Sequence, residues 1–213
     1  MKTLIIACAI SLLSAAAMKE AGIGIFENQM DVGNPKIKGS TVYDKQTNTY
    51  TLSGSGYNIW FTRDEFQYAY KKITGDFTLT AHFEFEGTGK EAHRKMGWMV
   101  RASLADTAIH VSAVTHGDGL TVMQWRVKPG MSMRDPEDEI RAPELKQYAI
   151  IQLLRKGKHF TMRIAEKEGD PFIVVGEHEM SNMPDEILAG IFICSHNADV
   201  MEKAKISDVH IEQ

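Results

Sequence analysis

Two acidic residues, Glu84 and Glu86, are spaced as the carboxylate pair of a sugar-cleaving enzyme could be. They end a stretch, residues 77–86, in which apolar and polar residues alternate, so both carboxylates are expected on one face of a β-strand. Residues two apart in a strand lie about 7 Å apart at Cα, within reach of the roughly 5–9.5 Å carboxyl separations of glycoside hydrolases. Glu84 and Glu86 are therefore candidate catalytic residues. The alternative is that they belong to a solvated outer face.

A second set of polar residues comes from three predicted strands that could be neighbours. The side chains of four residues could line one polar surface: Arg101, His110, Gln124 and Arg126. The planar guanidinium group suits carboxylates and adjacent hydroxyls, so we predict a ligand-binding role for the set. The alternative is structural: an arginine pairs with Asp64 or Glu84 and holds the edge of the sheet.

Aromatic residues offer a further binding element. Trp60 lies beside a Gly-rich turn and close to Asp64, and both are predicted to contact a ligand, with the indole stacking on a sugar ring. Phe66, Tyr68 and Tyr70 alternate as in a strand that buries one face, so they are predicted to be core. Trp98 and Trp125 lie on the faces opposite Arg101 and Arg126 by parity and are predicted to be core as well.

Metal and cofactor chemistry has little support in the sequence. The eight histidines are scattered, and neither a His-Glu-x-x-His motif nor a pair of closely spaced cysteines occurs. No metal site and no cofactor are expected. Calcium has a weak basis in the acidic run 135–139 and in Gly117-Asp118-Gly119. No Gly-x-Ser-x-Gly nucleophile motif is present.

Short alternating segments separated by turn residues run through the chain from about residue 49. We predict strands at these positions: 49–53, 77–85, 97–102, 108–115, 120–127, 148–155, 160–165, 172–178, 187–195 and 204–211. Gly-Asp and Lys-Gly pairs between them are typical of tight turns. A spacing of 8–12 residues per strand and turn indicates an all-β sandwich or barrel. Residues 129–146, charged and containing two prolines, are predicted to form a long exposed loop.

The amino terminus resembles an export signal. Lys2 precedes an apolar run, and the small residues 15–17 could form a cleavage site, so we predict a signal peptide over 1–17 and a single domain over 18–213. The run is too short for a membrane span. Lipidation at Cys8 is a minor alternative. Export to the periplasm or the outside is expected.

The remaining composition limits partners and cross-links. With a formal net charge of −4, the chain is not expected to bind nucleic acid. If Cys8 is removed with the signal, Cys194 alone remains, so an internal disulfide is excluded. Because Cys194 lies in an apolar run, we expect it to be a small buried residue.

Three segments of the chain resemble a known group. The first begins with Gly54-Ser55-Gly56-Tyr57-Asn58-Ile59-Trp60 and continues to residue 77, and the second begins with Lys95-Met96-Gly97-Trp98-Met99-Val100-Arg101 and continues to residue 126. The third consists of Leu154-Arg155-Lys156-Gly157-Lys158 together with residues 189–196. The group is an uncharacterised bacterial family of exported domains, often found beside TolB-type propeller repeats, within the concanavalin A-like lectin/glucanase superfamily. The resemblance implies a two-sheet antiparallel jelly-roll sandwich with a concave face, and a saccharide as the default ligand. Glucanases of the superfamily carry Glu-x-Asp-x-x-Glu or a close variant, whereas residues 84–88 read Glu-Phe-Glu-Gly-Thr.

Three functions follow as hypotheses. The first is an exported carbohydrate-binding domain that recognises a saccharide or polysaccharide on its concave face without catalysis. The second is a glycoside hydrolase or related sugar-cleaving enzyme that uses Glu84 and Glu86. The third is a periplasmic structural domain with a protein partner in the cell envelope. Fold alone does not choose among them.

Overall fold

The structure is a computed structural model that describes residues 23–213. The predicted signal peptide, its cleavage site and Cys8 lie outside this range. Within it the regular secondary structure consists of 14 β-strands. No helix long and apolar enough to cross a membrane occurs in the described part of the chain.

The strands form two antiparallel sheets of seven strands each. The first sheet has the order β1 (Asn28–Val32), β4 (Phe66–Thr74), β13 (Glu186–Cys194), β6 (Lys95–Arg101), β7 (His110–His116), β8 (Thr121–Arg126) and β9 (Glu139–Arg141). The second sheet has the order β12 (Ile173–Glu179), β11 (His159–Ala165), β10 (Ile150–Lys156), β5 (Phe77–Glu86), β14 (Glu202–Glu212), β3 (Thr49–Gly54) and β2 (Ser40–Asp44). This is the jelly-roll sandwich that the sequence predicts.

The main core lies between the sheets and follows from period-two burial. In β5 the side chains of Phe77, Leu79, Ala81 and Phe83 are buried in this core, while the residues between them face outward. From the first sheet Trp98 reaches across, and its indole Nε1 donates to the carbonyl of Ile151, 3.1 Å away, in the second sheet. The predicted core positions of Trp98 and Trp125 are therefore confirmed.

The first sheet is also covered on its outer face. Every residue of β6, β7 and β8 is buried, which a sheet with one solvated face does not show. A second apolar cluster lies on this side, made of residues of the sheet together with Ile59 from the loop after β3. It contains the predicted core residues Phe66, Tyr68 and Tyr70, and also Cys194, whose pKa is raised to about 11 by burial.

The predicted strands agree with the structure to within a few residues, but four of the observed strands are not among those predicted. The stretch 129–146 is not wholly a loop, because β9 pairs with β8 inside it. A three-residue edge strand with one apolar side chain, Ile140, carries no readable alternation. Strands β1 and β2 are short edge strands, and β4 has consecutive buried residues because both of its faces are covered.

We expect Trp98→Phe to lower the free energy of unfolding by about 1–3 kcal/mol, because it removes buried volume and the hydrogen bond that links the two sheets. Chemical denaturation checks this. Leu145→Ala is the control, since Leu145 is 71% exposed and its truncation leaves the core intact. Equal effects of the two substitutions would contradict the inter-sheet role of the indole.

Candidate functional site

The outer face of the first sheet is organised in rows set by strand register. At one end the paired residues are Leu188, Arg101, His110 and Arg126, in that order across the sheet. At the other end the row is Cys194, Lys95 and His116. Between them, Gln124 of β8 pairs with Glu139 of β9. We call the first end the closed end and the second the open end.

At the closed end, Asp64 from the loop after β3 is held by both arginines. Arg101 Nη1 donates to Asp64 Oδ2 at 2.8 Å, and Arg126 Nη1 and Nη2 donate to Oδ2 and Oδ1 at 2.8 and 2.6 Å. All three side chains have no solvent exposure. Two guanidinium groups thus share one buried carboxylate.

The same arginines also bind backbone carbonyls of the loops that cover the sheet. Arg101 Nη2 donates to Ala105 at 2.7 Å. Arg126 Nη2 donates to Phe61 at 2.7 Å, and its Nε to Met131 at 2.8 Å. With their donors used internally, Asp64, Arg101 and Arg126 present no surface to a ligand. We assign them the structural role, with Asp64 rather than Glu84 as the partner.

His110 lies between the arginines, fully buried, and neither ring nitrogen has a hydrogen-bond partner among residues 23–213. Burial lowers its pKa well below the usual value, and the charges of Arg126 and Arg101 lower it further. The imidazole is therefore neutral and out of reach of a ligand. The predicted surface of Arg101, His110, Gln124 and Arg126 does form one face, but of these four residues only Gln124 lines the cavity at the open end.

That cavity lies at the open end and has a volume of about 310 Å³. Its lining includes Trp60, Lys95, His116, Gln124, Glu139 and Arg141. The loop after β3 supplies Trp60, β6 and β7 supply the lysine and the histidine, and β8 and β9 supply the other three. We call it the open-end pocket.

Lys95 is the most unusual group in the pocket. It is 5% exposed, and its ammonium donates to Asn58 Oδ1 at 2.9 Å. None of the carboxylates in residues 23–213 lies within ion-pair distance of it. Burial lowers the pKa of Lys95, although Cys194, Asp64 and Glu91 act in the opposite direction. An ammonium ion in this position is costly unless something compensates it.

Three imidazoles gather beside Lys95. His116 is 2% exposed, and both of its ring nitrogens lack a partner within the described chain. The His93 ring centroid lies 6.0 Å from that of His116 and 5.3 Å from that of His196. Burial, followed by the charge of Lys95, lowers the pKa of His116 well below its usual value and that of His196 to about 4. All three side chains line the pocket.

The acidic groups of the pocket are already engaged. Gln124 Nε2 donates to Glu139 Oε2 at 3.2 Å. Arg141 forms ion pairs with Glu139 and, at 3.0 Å, with Asp135. Arg141 thus satisfies both carboxylates, whereas Lys95 is left with a neutral partner.

The predicted site residues fall in three places. Trp60, partly exposed, and Gln124 line the open-end pocket. Asp64, Arg101, His110 and Arg126 lie at the closed end. Glu84 and Glu86 are exposed on the outer face of the second sheet, on the opposite side of the sandwich and opposite Lys205 and Lys203 of β14. The structure therefore does not bring the acidic pair to the arginines.

Sequence reasoning missed several pocket residues. Lys95 and His116 share the parity of Arg101 and His110 along β6 and β7, so the alternation could have placed them on the same face. Glu139 and Arg141 could not be found in this way, because their strand carries no pattern. His93 and His196 lie in loops that only the folded chain brings together.

Two wider depressions lie on the second sheet. One, of about 910 Å³, is lined by Thr78, Thr161 and Arg163 and by a pair of exposed side chains, His159 and Glu177, whose Nδ1 and Oε1 are 3.0 Å apart. The other, of about 490 Å³, includes His82, Phe172 and His210. Glu84 and Glu86 line neither depression.

No group of three or more His, Cys, Asp or Glu side chains within residues 23–213 is arranged to hold a metal ion. In the acidic run considered for calcium, Asp135 is ion-paired with Arg141. Asp138 is ion-paired with Arg134 at 2.7 Å.

No family model matches the chain, and neither does any curated protein. Several solved structures share its fold. A functionally unknown protein from Saccharomyces cerevisiae is 13% identical with a TM-score of 0.63, covering 86% of this chain and 95% of that one. A carbohydrate-binding module of family 66 from Bacillus subtilis is 11% identical with a TM-score of 0.53, covering 91% and 100%. A family 7 alginate lyase in complex with its product is 9% identical with a TM-score of 0.51, covering 81% and 82%.

We expect Asp64→Ala to lower the free energy of unfolding by about 3–5 kcal/mol, because it leaves two buried guanidinium groups without their carboxylate. Urea denaturation at neutral pH measures this. Asp199→Ala is the matched control, since that carboxylate and its partner Lys36 are both about two-thirds exposed. A small effect at Asp64 would contradict the structural role of the closed end.

We expect stability to fall as the pH is lowered from 7 to 5. His110 and His116 have lowered pKa values when folded and ordinary ones when unfolded, so the unfolded chain binds more protons below its own pKa. Each contributes at most about 1.4 kcal/mol per pH unit. His110→Gln should reduce the slope of unfolding free energy against pH by up to that amount. An unchanged slope would contradict a neutral buried imidazole.

The comparisons with solved structures show the fold and not the chemistry. They leave the finer resemblance to the exported bacterial family as a prediction. The protein is an all-β, two-sheet antiparallel jelly-roll sandwich.

Proposed function

We propose that the protein is a saccharide-binding domain whose ligand occupies the open-end pocket. One observation carries this proposal: buried polar groups with unused hydrogen-bonding capacity, above all His116, line a cavity of about 310 Å³. Buried polar groups are normally satisfied, and each unsatisfied one costs about 1–3 kcal/mol. A ligand that carries many hydroxyls would supply the missing partners.

The pocket also has the size and composition of a small-ligand site. Its volume lies at the lower end of the range of about 300–1,000 Å³ for ligand pockets. Trp60 offers an aromatic surface for the apolar face of a sugar ring. Gln124 and His116 present donors and acceptors on rigid strands, which suits an ordered hydrogen-bonding site.

The fold neighbours support the same ligand class by analogy. One is a carbohydrate-binding module, and another is an alginate lyase in complex with its product. Because identities of 9–11% carry no residue-level argument, the neighbours favour a class of ligand and no more.

Binding without catalysis is the form that we propose. The two carboxylates of the pocket, Asp135 and Glu139, are both ion-paired with Arg141 and are not free to act on a substrate. Export through the signal over 1–17, to the periplasm or outside, remains part of the proposal. It would place the domain where polysaccharides occur.

Two alternatives make different predictions. A hydrolase using Glu84 and Glu86 requires its substrate on the second sheet, so Glu84→Gln would abolish turnover there and leave binding at the open-end pocket intact. An envelope-protein partner would be captured from envelope extracts, and added sugar would not displace it.

We expect Trp60→Ala to weaken saccharide binding about tenfold or more, because a stacked aromatic ring contributes roughly 1–2 kcal/mol. Titration calorimetry against a panel of plant and bacterial oligosaccharides measures this. Phe172→Ala is the matched control, because Phe172 is a 40% exposed ring in a depression of the second sheet.

Loss of binding with Phe172→Ala but not with Trp60→Ala would place the ligand on the second sheet. No binding across the panel would overturn the proposed function. Both variants are expected to keep their unfolding midpoints, since both rings are partly exposed.

A further inference from the structure

Lys95 carries a positive charge into the open-end pocket without a counter-ion. Its ammonium touches a neutral amide oxygen, Asn58 Oδ1, which also accepts from the Ile59 backbone N–H at 2.8 Å. Without the lysine, Asn58 Oδ1 would therefore still have a hydrogen-bond donor. The amide does not require the lysine, so Asn58 does not explain why a charged group is buried here.

Neither carboxylate of the pocket, Asp135 or Glu139, is paired with Lys95. Arg141 is paired with Asp135 and Glu139. The groups that act on Lys95 from neighbouring elements are the thiol of Cys194 on β13, Asp64 in the loop after β3, and Glu91 before β6. Asp64 is committed to the two arginines. Glu91 lies outside ion-pair distance of Lys95, and a thiol is a poor counter-ion.

The imidazole of His116, beside Lys95, is also suited to bind an anion. Burial, followed by the charge of Lys95, favours the neutral form of His116. A neutral imidazole has one N–H donor, and His116 has no internal acceptor for it within residues 23–213. An anionic oxygen placed between the two side chains would accept from both Lys95 and His116.

We propose, on the basis of the function proposed above, that the open-end pocket binds the anionic substituent of an acidic saccharide, with Lys95 as counter-ion and His116 as hydrogen-bond donor. The substituent is a carboxylate, as in a uronic acid, or a sulfate ester. A metal ion is disfavoured at this position because the ammonium would repel it. A neutral sugar would satisfy His116 but would leave the buried charge uncompensated.

In the free protein, the burial of the Lys95 ammonium without a counter-ion lowers stability, and an anionic ligand would remove this penalty. Replacing a buried, unpaired ammonium with an apolar chain of similar length should stabilise the unliganded fold. We expect Lys95→Met to raise the unfolding midpoint, which also shows that the variant folds. A structural lysine would give the opposite result.

The test compares matched acidic and neutral ligands by titration calorimetry. The acidic ligands are oligomers of galacturonate, glucuronate and mannuronate and a sulfated galactan oligomer. Each neutral counterpart is the carboxyl-reduced or desulfated form of the same oligomer. We expect the best acidic ligand to bind wild-type protein at least tenfold more tightly than its neutral form. Lys95→Met should remove that difference.

Lys205→Met is the matched control, because Lys205 is exposed on the second sheet beside Glu84. It should keep the acidic preference. Equal or tighter binding of the neutral forms, or a preference that survives Lys95→Met, would overturn this inference and leave a saccharide-binding function standing. Absence of binding by every oligomer, acidic or neutral, would overturn both.

Discussion

One buried carboxylate, Asp64, fixes the outer face of the first sheet. It joins the ends of β6 and β8 through Arg101 and Arg126, and the same arginines hold the carbonyls of three covering loops. Breaking such a network by removing one partner is costly, because the remaining charges stay buried. The loop that contains Asp64 also carries Asn58 and Trp60, so the ion pairs of Asp64 at the closed end position two residues of the open-end pocket. The geometry of the candidate site therefore depends on an interaction that never touches a ligand.

The two ends of this face differ in how far their polar groups are satisfied. At the closed end two arginines share one carboxylate, and both also donate to backbone carbonyls, so each has internal acceptors. At the open end Arg141 is compensated by two carboxylates, but Lys95 and His116 are not. A fold that can build the first arrangement has no structural need for the second. Stability is often given up at sites that bind a partner. The contrast therefore favours the open end as the binding site over the wider depressions of the second sheet.

Much of the fold could be predicted from alternation, but little of the site could. The pattern in residues 77–86 gave both the strand and its buried face, because one side of β5 is solvated. The same pattern could not show that Glu84 faces away from Arg101 and Arg126. Glu84 belongs to the second sheet and the arginines to the first, and alternation within one strand carries no information about the other sheet. Parity did place Arg101, His110, Gln124 and Arg126 on a common face. It could not show that loops bury three of them, because coverage by loops depends on tertiary contacts such as those of Asp64. Lys95 was available to the same reasoning as Arg101 and was overlooked, whereas the pairing of Glu139 with Arg141 required the structure.

The most direct test of the account follows the histidine imidazole signals by NMR while an acidic oligosaccharide is titrated in. The side chains report on distinct places: His116 and His196 on the open-end pocket, His110 on the closed end, and His82, His159 and His210 on the second sheet. Our account predicts saturable shifts of His116 and His196, with His110 and the second-sheet histidines unchanged. Shifts confined to His82, His159 or His210 would contradict it.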